Sequence, residues 1–145
     1  MRRRQLLTAL PFALAAGAAG ANEPPKKGSG GQFIDLSPIA LPIVLNNRLI
    51  NYVFVQVRIN LSPAADVLKM REKEPWFRDA LVRAGHRTPF TNPRDYTIID
   101  DVRMKATLMR EAALITPARN LLSVSLISQT PKQRSGLPRR PAAAH

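Results

Sequence analysis

Leu49-Ile50-Asn51-Tyr52-Val53-Phe54-Val55-Gln56-Val57-Arg58-Ile59-Asn60-Leu61 is the stretch that decides how this chain folds. Aliphatic residues hold the odd positions Leu49, Val53, Val55, Val57, Ile59 and Leu61, broken only by Asn51, while Gln56, Arg58 and Asn60 hold even ones. A period of two, rich in β-branched residues, predicts a long strand with one buried face. Ser62-Pro63 stops it. The same pair reads as a helix start, with Ser as the cap and Pro in the first turn, where its missing N–H is no loss. Helical spacing follows, with Val67, Leu68 and Met70 before Pro75, then Trp76, Phe77, Ala80, Leu81 and Ala84 after it. Proline inside a helix breaks or kinks it, which predicts two short helices or one bent one. Gly85 stands where a C-terminal cap is expected.

Upstream, Phe33 to Leu45 reads as one or two short strands interrupted by Pro38 and Pro42. Proline cannot donate to a sheet ladder, so this segment belongs at an edge or straddles a bend. Asn46-Asn47 before the long strand predicts a hairpin, because Asn tolerates the positive φ that two-residue turns require. Downstream, Asn92-Pro93 repeats the cap-then-proline signal and puts Asp95 at the third helical position. The second helical region runs to about Ile115, with Tyr96, Ile99, Val102, Ala106, Met109 and Ala113 as its apolar stripe. Tyr96-Thr97-Ile98-Ile99 is locally strand-like, which leaves a start near Asp100 as the alternative. Thr116-Pro117 ends the helix. From Leu121 to Ser128, Leu122, Val124 and Leu126 alternate with Ser123 and Ser125, a last strand with one buried face. The expected fold is α+β: a small, mostly antiparallel sheet of three to four strands with two helical segments packed on one face.

Both ends of the 145-residue chain read as delivery and linkage. Residues 1–21 have the form of an export signal: Arg2, Arg3 and Arg4, an apolar run from Leu6 to Ala16, and Ala19-Gly20-Ala21 as an A-x-A cleavage pattern before Asn22. Arg3-Arg4-Gln5-Leu6-Leu7 has the form of a twin-arginine signal, and an ordinary export signal with one extra arginine stays open beside it. Leu6 to Ala21 would make only about 24 Å of helix against a hydrocarbon core of about 30 Å, which favours a cleaved leader over a retained anchor. Residues 22–32, with Pro24-Pro25, Lys26-Lys27 and Gly28-Ser29-Gly30-Gly31, read as a linker. Residues 33–130 form the domain, and 131–145 a basic disordered tail. The expected location is the periplasm or the periplasmic face of a bacterial inner membrane.

Charge and residue types narrow the chemistry. Net charge is +12, yet residues 33–130 hold 13 basic against 9 acidic side chains, so the excess is largely terminal. A folded nucleic-acid reader concentrates that excess on the domain with aromatics free to stack, so no nucleic acid is expected. Cysteine is absent, which removes disulfides and thiol nucleophiles. His86 is the one histidine within 33–130 and lacks the company a zinc site needs. Asp100 and Asp101 point about 100° apart on a helix and read as dipole compensation. Ser123, Ser125 and Ser128 have no base placed for them, and phosphate-loop and dinucleotide motifs are missing. Neither catalysis nor a cofactor is expected. Trp76-Phe77 is more telling, because adjacent aromatics on a helix cannot both face the core centrally, so one is expected to offer a contact surface.

The strand Tyr52 to Leu61, followed by Glu74-Pro75-Trp76-Phe77-Arg78-Asp79-Ala80-Leu81-Val82, resembles the periplasmic domain of the flagellar basal-body-associated FliL family. The likeness covers about residues 33–130, and the Pro75…Arg78-Asp79-Ala80-Leu81 run is its most specific piece. It implies a stomatin/SPFH-like domain that assembles side by side around the flagellar stator and supports motility, a scaffold without catalysis. The expected partners are proteins, including further copies of this chain as a homo-oligomer. The expected contact residues are Trp76, Phe77, Arg78 and Asp79, with edge pairing by Phe33 to Leu45. The alternative is a periplasmic binding or adaptor protein unrelated to flagella, whose basic ends meet anionic lipid or an acidic protein partner.

Overall fold

The computed structural model describes residues 31–138. Strands β1 (Phe33–Asp35), β2 (Ile39–Leu45) and β3 (Arg48–Leu61) lead into helices α1 (Val67–Glu72), α2 (Glu74–Arg87) and α3 (Asp101–Ile115). A short 3-10 turn (Ala118–Asn120) then delivers strand β4 (Leu121–Pro131). The fold is α+β, with one antiparallel four-stranded sheet and three helices on one side of it. β1 and β2 lie end to end along one side of β3, and β4 pairs along the other.

The period-two pattern becomes the core. Val53, Val55, Val57, Ile59 and Leu61 are all buried, against Leu41 and Ile43 of β2, Phe77 and Leu81 of α2, and Met104 and Leu108 of α3. Asn46 and Asn47 both take positive φ (49° and 59°), making the two-residue turn whose twist suits the flanking strands. Pro75 opens α2, and Lys73 serves as both the end of α1 and the cap of α2. Its Nζ donates to the Ile115 carbonyl at 3.1 Å and so caps α3 as well.

Several expectations are corrected. The helix after β3 does not begin at Ser62-Pro63; Asp66 caps α1, accepting from the N–H groups of Leu68 and Lys69. Gly85 is no cap but lies inside α2, which ends at Thr88. A Cβ there would stand 2.8 Å from Leu41 Cδ2, so the glycine is a packing requirement, letting α2 approach β2. Asn92-Pro93 starts no helix. The Asn92 and Asp95 side chains accept from the backbone N–H groups of Arg94 and Thr97, local bonds that compete with helix formation. The alternative start is the observed one, with Asp100 capping α3 through the Arg103 N–H. Tyr96 and Ile99 therefore lie in a loop and do not set the helix phase. Met104, Leu108 and Ala112 face the core, whereas Val102 is 71% exposed and Ala106 and Ala113 are also outside.

Three bulges explain the remaining mismatches. Ile43 pairs with Asn51 but Val44 with Leu49, so Ile50 is extra, Asn51 is buried and Leu49 faces out. On β4, Leu122 and Ile127 are skipped in the same way, and both are exposed. The chain also stays engaged past position 130. Asn51 donates to the carbonyls of Tyr96 (3.1 Å) and Gln133 (3.0 Å), and its Oδ1 accepts from the Gln133 N–H at 3.0 Å. Leu137 packs partly against the core. One buried polar side chain thus ties β3, the 92–100 loop and the segment after β4 together.

Replacing Asn51 with Leu keeps the branched outline in a bulkier side chain and removes this clamp, leaving the Tyr96 carbonyl without its partner. We expect a loss of about 1–3 kcal/mol in urea unfolding. Trypsin should also cut faster after Lys132 and Arg134 while the rest of the domain stays protected.

Candidate protein-contact surface

Pro75-Trp76-Phe77-Arg78-Asp79 forms the first turns of α2, where successive side chains point about 100° apart. Four consecutive residues sweep the whole circumference, so the core must take one. It takes Phe77, which is fully buried and cannot serve as a contact residue, correcting that expectation. Trp76 is 66% exposed, and Arg78 and Asp79 are exposed beside it.

The exposed part of this run does not stand alone. Arg78 and Asp79 line a shallow groove of about 350 Å³ together with Pro38, Ile39 and Ala40 from the bend between β1 and β2. The two segments expected to make contacts, the α2 run and the 33–45 edge, therefore meet on one surface. Pro38 accounts for the bend, because it ends one ladder before Ile39 begins the next. The carboxylate of Glu74 fixes the junction by accepting from the Ser37 N–H at 2.8 Å. Asp79 pairs with Arg83 one turn on at 3.0 Å, a solvated ion pair worth little to stability. Arg78 makes no ion pair among the described residues, which leaves its planar fork of donors open to a partner.

A second hollow lies on the other side of Glu74, lined by Phe33, Asp35, Ser37 and Arg71. Two of its lining residues are held by Arg58, which bonds Asp35 at 2.7 and 3.0 Å and stacks over the Phe33 ring at 3.7 Å. The bond to Asp35 raises the Arg58 pKa further, so the guanidinium stays charged throughout the physiological range. The sequence reading did not single out this cluster. Its signal was Arg58 on the polar side of the long strand, but the partner on β1 depends on pairing register.

His86 is exposed near the end of α2, with Nδ1 2.8 Å from the Val82 carbonyl of its own helix. Asp100 caps α3, and Asp101 pairs with Lys105 at 2.8 Å, which lowers its pKa. Ser123 and Ser125 accept from the Asn60 amide at 2.8 and 2.9 Å. No cluster of three potential metal ligands occurs among the described residues, and none of their helices is long and apolar enough to cross a membrane. Arg3, Arg4, Leu6, Leu7, Ala19 and Ala21 of the export signal lie outside the described residues. No family model matches the chain, and no curated protein matches it.

Phe77→Ala should cost about 3–5 kcal/mol in urea unfolding, as a buried aromatic truncation does. Trp76→Ala should stay within about 0.5 kcal/mol of the parent. As the chain has one tryptophan, its native fluorescence should already show the long-wavelength emission of a hydrated indole.

Proposed function

We propose that this chain is a non-catalytic, exported scaffold of the FliL type that associates with the flagellar basal body and stator and supports motility. Its domain works through protein contacts, including side-by-side contacts with further copies of itself. The observation that carries the reading is the meeting of Arg78 and Asp79 with the β1–β2 edge on one groove. In the resemblance the Pro75…Leu81 run is the most specific element. Here that run divides cleanly, with Phe77, Ala80 and Leu81 buried and Trp76, Arg78 and Asp79 outside. Such a split suits a helix that must both anchor a core and present a partner surface. β1 and β2 pair with β3 on one side only, so the parts of their outer edge not taken by Glu74 and Thr91 offer strand pairing as a second mode of attachment. The α+β frame with helices on one sheet face is compatible with the stomatin/SPFH-like shape the resemblance implies.

A second reading is an adaptor whose basic end meets an anionic lipid surface or an acidic partner. It is favoured by the Asn51 clamp, which holds Lys132 and Arg134 against the end of the sheet that also carries Arg48. β3 runs away from that end, and β1 enters opposite its far end, with Phe33 facing Asn60. The described chain thus enters at Phe33, opposite Asn60, and passes Lys132, beside Tyr52, at points eight strand residues or about 26 Å apart.

The test is an in-frame deletion in the bacterium that carries the chain. The swimming halo in soft agar should shrink and recover with the parent chain. It should not recover with Arg78→Glu combined with Trp76→Ser, at equal protein level. Undiminished swimming in the deletion strain overturns the flagellar reading.

A further inference from the structure

The face of the helix pair turned away from the Arg78 groove holds an arginine-walled cleft. α3 contributes Arg103, Thr107 and Arg110, and the end of α2 contributes Arg87 and Thr88, over a floor made by the buried ring of Phe90. The cleft measures about 350 Å³. Its charge is lopsided, with three guanidinium groups and no carboxylate in its lining. Glu111, also on α3, is spent on Arg87 at 3.3 Å. Arg103 and Arg110 make no ion pair among the described residues. Arg110 has no acid three or four residues away in either direction, since those positions are Ala106, Thr107, Ala113 and Leu114. A merely solvated helix face looks different. The other α2 and α3 ion pairs, Asp79 with Arg83 and Asp101 with Lys105, neutralise themselves at the favoured spacing of four.

We infer that this cleft is a docking site for an acidic peptide segment of a protein partner, with carboxylates about 10 Å apart engaging Arg103 and Arg110. The inference rests on the scaffold reading above and names where one partner binds. Seven residues of helix separate the two arginines by about 10.5 Å along α3, on the same side of it. An extended three-residue-per-turn chain brings every third side chain to one face at about 9.3 Å, close to that spacing. Arginine forks bind carboxylates bidentately, which sets direction as well as attraction. The Thr107 and Thr88 hydroxyls supply hydrogen bonds for a peptide backbone lying between them. The basic tail is a separate feature, since Lys132 and Arg134 follow β4 and line none of this cleft.

The probe is a fluorescein-labelled (Glu-Pro-Pro)4 peptide, read by fluorescence anisotropy at low salt, with (Gln-Pro-Pro)4 as its neutral twin. The parent protein should bind the glutamate peptide at least tenfold more tightly than the glutamine one. Arg103→Gln with Arg110→Gln should weaken binding at least tenfold, with an unchanged circular dichroism spectrum because both side chains are exposed. Lys132→Gln with Arg134→Gln should change it less than twofold. No measurable binding, equal binding of the two peptides, or retained binding by the Arg103/Arg110 variant each overturns the proposal. A larger loss in the tail variant than in the cleft variant overturns it too. Swimming bears on the flagellar reading and peptide binding on the cleft, so either can fail alone.

Discussion

Backbone pairing to β3 is the constraint on which everything else rests. β1, β2 and β4 each pair with β3, and none of them pairs with another. Its inward side chains, Val53 to Leu61 by twos, are at the same time the floor on which α2 and α3 pack. One strand therefore carries both the hydrogen-bond ladder and the apolar face. A slip of one residue would turn Gln56, Arg58 and Asn60 into the core and Val55, Val57 and Ile59 into water. That penalty is what holds register, and register in turn sets Asp35 against Arg58 and Pro38 next to α2.

Local signals that depend on a few neighbouring residues could be read directly from the chain. Alternation in 53–61, the Asn46-Asn47 turn and the break at Pro75 all reflect chemistry that acts within one element. Signals that depend on what lies across the fold could not. Gly85 resembles a cap in isolation, and only the approach of Leu41 from β2 reveals why a side chain is excluded there. Leu49 and Leu122 fit their alternations by spacing, and bulges set by the partner strand turned them outward. Asn92-Pro93 carries a genuine cap signature, but Asn92 and Asp95 spend their side chains on tight turns. The candidate surface followed the same division. Exposure of one aromatic at 76–77 followed from helix geometry, whereas the groove with Pro38 to Ala40 and the cleft on α3 required the packing.

Asn51 shows how an exception in a pattern can carry meaning. A lone polar residue on the apolar face of a strand costs free energy unless its amide is satisfied. Here the Asn51 Nδ2 donates to the Tyr96 and Gln133 carbonyls, and its Oδ1 accepts from two backbone N–H groups. The result anchors the segment after β4, so the basic residues 132 and 134 are held at a defined pole of the domain. Three surface features are then spread around one frame: the Arg78 groove at one sheet edge, the arginine cleft between α2 and α3, and the basic residues 132 and 134.

Native-state hydrogen exchange of the folded chain tests the central claim most directly, because β3 alone has hydrogen-bonding neighbours on both sides. The amides of Val53 to Ile59 should be the last to exchange, opening only with global unfolding, while those of the 92–100 loop and α1 exchange far earlier. Exchange in β3 faster than in α2 and α3 would contradict the claim that this strand is the spine on which the helices pack.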